Sequence, residues 1–294
     1  MSNLDLRPLS LGEILDRTFT LYRGYFVLFM AISAVPRILV LILNLAQLLV
    51  IFPGGFRLPT TQRTPAAVVP PVFATAGGIA TYLGFIFVIA IVAMAAVLIS
   101  QGATVIAVSE LYLGRTISIS ESFRRVFRDF WTLAGVVTLN FLAVMAGFLL
   151  LIVPGIYVLC RLALSVPAAL LENLPPRNSL ERSWALTGGY AGRVFLILLL
   201  YFALSAAAGA LFAVPFEILM FASAKNPHMM LISMILMQVG SFVGTVLVTP
   251  VLTIASAILY YDLRVRKEAF DLQLMMNPLG GAPRLSGGLP TMLS

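Results

Sequence analysis

The residues placed to do chemistry in this chain are polar side chains set inside long apolar runs: Arg37, Asn140, Arg161, Glu217 and Gln238. Arg37 lies about twelve residues into its run, or ~18 Å along a helix, which is near mid-bilayer if the run crosses a membrane. A charge at that depth costs at least ~2.5–3.5 kcal/mol and marks a pathway or a buried pair. Asn140 falls at a similar depth in a later run, with Arg161 and Gln238 nearer the opposite surface. Glu217 is the acidic residue of that outer half, so a neutralising Arg161–Glu217 contact is expected. Two readings stay open: a path for a small solute using Arg37 and Arg161, or structural service in which Arg37 fixes helix packing and Arg161 extends toward the surface.

Other chemistry is missing. His228 is the single histidine and Cys160 the single cysteine, so no metal-ligand cluster and no internal disulfide is expected. No phosphate-binding glycine loop, dinucleotide fingerprint or nucleophile elbow occurs. We therefore expect no catalysis, no cofactor and no metal. The chain is 60% hydrophobic and 11% charged, with a mean hydropathy of +1.01. A soluble domain carries roughly a quarter charged residues, so this composition indicates an all-α polytopic membrane protein. The net charge of +7 then reads as basic loops beside a membrane, with no role in binding nucleic acid.

The elements that must position these residues are short amphipathic helices and long apolar spans. Residues 117–131 (ISISESFRRVFRDFW) pair Ser118 with Glu121 as a capping box, then repeat Ile119, Phe123, Val126, Phe127 and Phe130 at helical spacing opposite Arg124, Arg125 and Arg128. Residues 10–26 repeat the device with Ser10, Glu13 and Arg17. Residues 178–190 repeat it with Asn178 as cap, Glu181 in the box position, and Arg182 and Trp184 behind. Such helices lie in the interface plane, each arginine near an anionic surface contributing about 1 kcal/mol. Arg17, Arg124, Arg125, Arg128, Arg182 and Trp184 are thus candidates to meet lipid, or to dock a separately encoded partner. The plainer alternative is that these helices only hold neighbouring spans in register.

Six spans are predicted, over residues 25–52, 79–109, 132–153, 156–171, 192–214 and 229–261. Pro36 and Arg37 interrupt the first, Pro154-Gly155 forms a tight turn between the third and fourth, and Pro215 breaks the fifth. Residues 53–78 read as a Pro/Thr-rich loop. A GxxxG at Gly240 and Gly244 and a small-residue row from Ser205 to Ala210 are expected to serve helix contacts. The spans group as three hairpins, each introduced by one amphipathic helix, with an acidic residue (Glu110, Glu172, Asp262) closing each second span. This suggests a threefold repeat over 8–115, 116–174 and 175–268 within a single membrane domain, 1–272, followed by a disordered tail, 273–294. The face holding both termini and the amphipathic helices has fourteen Lys and Arg against three on the other. The positive-inside rule therefore puts the termini in the cytoplasm.

Four stretches, residues 7–26, 153–173, 179–190 and 257–272 (RPLSLGEILDRTFTLYRGYF, VPGIYVLCRLALSVPAALLEN, SLERSWALTGGY and AILYYDLRVRKEAFDL), are similar to the prokaryotic membrane-domain family named after glycerophosphoryl diester phosphodiesterase. The resemblance covers nearly all of the chain to about residue 272 and rests on moderately specific motifs, since the PGIYxxxR pattern ending at Arg161 recurs in related multispan families. It implies a bacterial cytoplasmic-membrane protein. In that family such a domain is sometimes joined to a catalytic barrel with two histidines and metal-binding carboxylates, for which this sequence has no counterpart. The expectation is a non-catalytic anchor or lipid-associated scaffold, with a transporter or channel as the rival.

Overall fold

A computed structural model describes residues 9–51, 73, 75–223 and 226–268. In a bilayer each backbone N–H and C=O must be bonded within the segment, and every long element among the described residues is accordingly a helix. In chain order they are α1 (Leu11–Gly24), α2 (Phe26–Ile51), α3 (Ala76–Tyr112), α4 (Ile119–Arg128), α5 (Phe130–Leu150), α6 (Ile152–Leu162), α7 (Ser165–Glu172), α8 (Pro176–Thr187), α9 (Ala191–Phe212), α10 (Val214–Ala222) and α11 (Pro227–Glu268). Six segments are long and apolar enough to cross a membrane: Phe26–Leu48, Ala76–Tyr112, Phe130–Leu150, Ile152–Glu172, Ala191–Ala222 and His228–Glu268. This is a multi-pass membrane architecture. Its exterior carries large apolar side chains such as Leu83, Phe87, Leu149, Leu199 and Phe221, which in water would be a severe liability.

Several boundaries differ from the sequence expectation. α2 runs through Pro36 without interruption. The turn between α5 and α6 sits at Leu151, whose backbone is fully extended. Pro154 and Gly155 lie inside the first turn of α6, where proline's missing N–H would have no intrahelical acceptor in any case. The fourth span breaks after Leu162: Pro167 has no N–H for the carbonyl of Ala163, and the chain restarts as α7 at Ser165. α9 and α10 part at Ala213, just ahead of Pro215. α8 begins at Pro176 behind Pro175 with no side-chain cap, so Asn178 lies within the helix and is not its cap. The capping box at Ser10 and Glu13 is complete, and Ser118 accepts from the Glu121 N–H. Most of the loop at 53–78, the tail at 273–294 and Lys225 lie outside the described residues.

α2 packs along α3, α5 along α6, and α9 and α10 along α11, while α11 also touches α1, α2 and α3. The core is built largely from α11: Ile254, Ile258, Leu259, Tyr260 and Leu263 are almost fully buried. They meet Leu9, Ile14, Phe29, Leu164 and Leu186 from four other segments. At Gly240 α11 comes close to α9, since a Cβ there would lie 1.8 Å from the carbonyl oxygen of Phe212. At Gly244 the same atom would meet Ala208 at an ordinary 3.5 Å. The two glycines of the GxxxG are therefore unequal. Gly240→Ala should destabilise the protein by roughly 1–3 kcal/mol through overpacking, whereas Gly244→Ala should leave the detergent-solubilised melting temperature nearly unchanged. Equal melting temperatures for the two variants would refute the close approach.

Candidate functional site

The short helices α1, α4 and α8 gather at the same end of the bundle as the C-termini of α3, α7 and α11. They share a burial pattern. Ile14 and Thr18 are fully buried on α1, Ser122 and Val126 on α4, Ser179 and Ser183 on α8, in each case two positions four apart on one helix face. An arginine precedes the second buried residue in every case (Arg17, Arg125, Arg182), and a large aromatic follows it (Phe19, Phe127, Trp184). All three aromatics are exposed, Phe127 to 59%. In sequence, matching Glu13 with Glu121 and Glu181 sets α8 three residues out of step with this spatial match. Small residues that fit against the bundle set the register, and a glutamate cap does not.

The arginines reach inward to the helix ends. Arg125 Nη1 lies 2.7 Å from Glu110 at the end of α3, and its Nε donates to Glu121 at 2.9 Å. These bonds hold the Glu121 carboxyl below the usual glutamate range, and they raise Arg125 in return. Arg182 Nε donates to Glu172 at 2.9 Å at the end of α7, and Nη1 pairs with Glu268 at the end of α11. Burial pulls the Arg182 guanidinium down, but bonds to Glu268 and Glu172 outweigh it and leave it raised. Tyr260 donates to Glu172, and Arg264 bonds Glu268 at 3.2 Å, which closes a five-residue network. Arg17 takes another route, donating to the Tyr112 hydroxyl at 3.1 Å, while Tyr112 stacks on Tyr261.

Asp262 is the fully buried acid of this rim. It accepts from the Leu9 N–H at 2.7 Å, from Arg266 Nε at 2.9 Å and from Arg193 Nη1 at 3.4 Å. Both arginines also donate to the Leu9 carbonyl. The start of α1 is thereby tied to the end of α11. Sequence reading picks out Glu110, Glu172 and Asp262 as acids closing alternate spans, but Arg193, Arg264, Arg266 and Tyr260 are missed. A signal was present for two of them, since Asp262/Arg266 and Arg264/Glu268 are i,i+4 pairs within one helix; Arg193 and Tyr260 meet partners 69 and 88 residues away.

Among the other interface candidates, Arg124 and Arg128 point outward, 80% and 73% exposed, each beside a local carboxylate (Glu121, Asp129). Trp131, at the start of α5, is 83% exposed.

The intramembrane candidates separate. Asn140 donates to the Leu162 carbonyl at 3.3 Å and to Ser165 Oγ at 3.0 Å. Ser183 and Thr187 of α8 both donate to the Arg161 carbonyl, and the Leu164 N–H donates to Ser183. Together these side chains take up the backbone groups released by the α6–α7 break. Arg161 makes no contact with Glu217, contrary to expectation. Its guanidinium lies 4.5 Å from the Trp184 ring centroid and 5.8 Å from that of Tyr157, and the buried Nε has no hydrogen-bond acceptor. Because α8 folds back over the α6–α7 break, it brings Trp184 to Arg161; Glu217 is exposed on α10. Arg37, 8% exposed, donates to the Ser33 carbonyl, Ser100 Oγ and Thr249 Oγ1. It lines a cavity of about 180 Å³ together with Gln238. Asn140 lines a different cavity, about 320 Å³ and mostly apolar. No group of three or more metal-binding side chains occurs among the described residues.

No family model, curated protein or solved structure matches the chain.

Two measurements probe the rim. Asp262→Ala leaves Arg193, Arg266 and the Leu9 N–H without their shared acceptor. Breaking a buried pair in this way costs about 3–5 kcal/mol, so the melting temperature should fall and proteolysis near residue 9 should accelerate; unchanged values would refute the tie. Glu121 ionises at lower pH when folded than when unfolded, where its value is about 4.3. Its contribution is complete above that pH and is lost as pH falls through the lower folded value. The wild-type melting temperature should therefore drop more steeply below about pH 4 than that of Glu121→Gln.

Proposed function

We propose that this protein is a non-catalytic membrane anchor or lipid-associated scaffold, akin in role to the membrane domain that its sequence resembles, whose working surface is the rim of α1, α4 and α8. The observation that carries this reading is the shared arrangement of the three helices. Each turns an arginine inward to the helix ends and an aromatic ring outward. An aromatic at the edge of an apolar bundle suits the headgroup boundary, and the outward Arg124 and Arg128 suit an anionic leaflet. On this reading the rim faces the bacterial cytoplasm, both termini lie there, and anionic lipids are the first partners. A separately encoded protein would dock on the same surface. A solute path using Arg37 and Arg161 has less support, because Arg161 does not line the cavity that Arg37 lines, and Asn140 lines a separate one.

The two tryptophans provide the test, since Trp184 lies on α8 and Trp131 follows α4 at the start of α5. In reconstituted protein, lipids brominated near the headgroup should quench their fluorescence more strongly than lipids brominated at the chain ends. Quenching by aqueous iodide alone would overturn the interfacial placement. Arg124→Gln with Arg128→Gln should reduce the stabilisation that anionic lipid confers in nanodiscs, by about 1 kcal/mol for each arginine, while leaving stability in neutral lipid unaltered. Purified protein should hydrolyse no glycerophosphodiester, with or without added divalent metal.

A further inference from the structure

Where α8 meets the end of α11, most charges answer one another. Arg182 and Arg264 share Glu172 and Glu268, and Arg193 and Arg266 share Asp262. Arg161 and Lys267 are left out: no carboxylate of the described residues lies within ion-pair distance of either. Arg161 rests against the rings of Trp184 and Tyr157, and its buried Nε has no acceptor. Lys267 Nζ donates to the Ala185 carbonyl at 2.6 Å, which occupies one of an ammonium's three N–H groups.

These two cations converge beside Gly188. A Cβ on that residue would lie 3.2 Å from Arg161 Nη1 and 3.4 Å from Lys267 Nζ. Its φ of −58° is one that any residue adopts, so the backbone does not call for glycine. What the missing side chain leaves is room next to both nitrogens. Two like charges held this close gain from an anion between them, and a guanidinium with an ammonium suits phosphate oxygens.

The surroundings favour a lipid as the source of that phosphate. Val153, Tyr157 and Arg161 are four apart on α6, so they form one stripe. Val153 and Tyr157 are exposed, in a segment apolar enough to cross a membrane. We propose that Arg161, Lys267 and the open side of Gly188 bind the phosphate of an anionic glycerophospholipid, whose acyl chain lies along Val153 and Tyr157. Free phosphate would make no use of that stripe, and a choline headgroup would bring a further positive charge to the corner. This site rests on the interfacial reading and deepens it: Arg124 and Arg128 attract an anionic leaflet as a whole, whereas this corner holds one molecule of it.

The test titrates short-chain phosphatidylglycerol into the full-length protein in detergent at constant ionic strength, with the melting temperature as readout. The temperature should rise and saturate, and phosphatidylcholine should not reproduce the rise. An equal rise with inorganic phosphate would overturn the lipid assignment. Lys267→Gln can keep the bond to Ala185 and should move the midpoint about tenfold toward higher lipid, as loss of a charged bond predicts. Gly188→Ala keeps both charges but fills the room beside them, and should move the midpoint in the same direction. Should Gly188→Ala fail to fold, Lys267→Gln carries the test. Arg124→Gln with Arg128→Gln should leave the midpoint where it is, and an equal shift there would overturn the site. So would a wild type with no saturable response, or a Lys267→Gln midpoint equal to that of wild type. Quenching of the tryptophans by headgroup-brominated lipid together with such a result removes this site alone, whereas quenching by iodide alone removes the interfacial reading itself.

Discussion

Ser100 Oγ donates to the carbonyl of Ile32, the acceptor that Pro36 leaves without its usual partner. The same need recurs at the α6–α7 break, where Asn140, Ser183 and Thr187 bond the carbonyls of Leu162 and Arg161. Surrounded by hydrocarbon, a backbone group without a partner costs several kcal/mol and no water is at hand to take its place. Much of what is polar in this bundle answers that demand. It explains why Ser183 and Thr187 are buried while the larger Trp184 between them stays half outside. It also explains why α8 is pressed against α6 and α7: the helix that repairs the break must touch it.

Satisfying the backbone also fixes where charge can go. Arginine is suited to carbonyl and carboxylate partners because its donors form a planar fork. Arg125, Arg182, Arg193 and Arg266 all use that fork at the ends of helices, where acids close the spans. Arg161 differs from these four. It spends its charge on aromatic faces instead of a carboxylate. A cation over Trp184 is attracted by the ring quadrupole, by about 2 kcal/mol or more where water is excluded.

What could be read from residue order follows from the same physics. The six apolar segments are legible because their length and hydropathy are set by the membrane and not by the partners they meet. The caps at Ser10 and Ser118 are legible because the bonds they make lie within one turn. The third cap fails because Pro175 and Pro176 start α8 by another route, fixing φ where a side-chain acceptor would otherwise serve. Proline and glycine mislead within apolar runs. The Ile32 carbonyl that Pro36 leaves open is bonded by a serine 68 residues away along the chain, a contact no local window contains, and Pro154 sits harmlessly in a first turn. The polar candidates were found by type, but their partners were not. Arg161 and Glu217 look matched by depth and sign, yet depth says nothing about azimuth around the bundle.

α11 spans 42 residues, or ~63 Å at 1.5 Å per residue, about twice what hydrocarbon requires. One end holds Asp262 and Glu268 among their arginines, and Gln238, Ser241 and Thr249 lie about four to eight turns away along the same rod. Pro250 leaves that rod continuous. One element thus joins the Glu268 end to the wall of the Arg37 cavity, and a displacement of that end along the axis reaches the cavity through Pro250, the position between them where the backbone ladder lacks a donor.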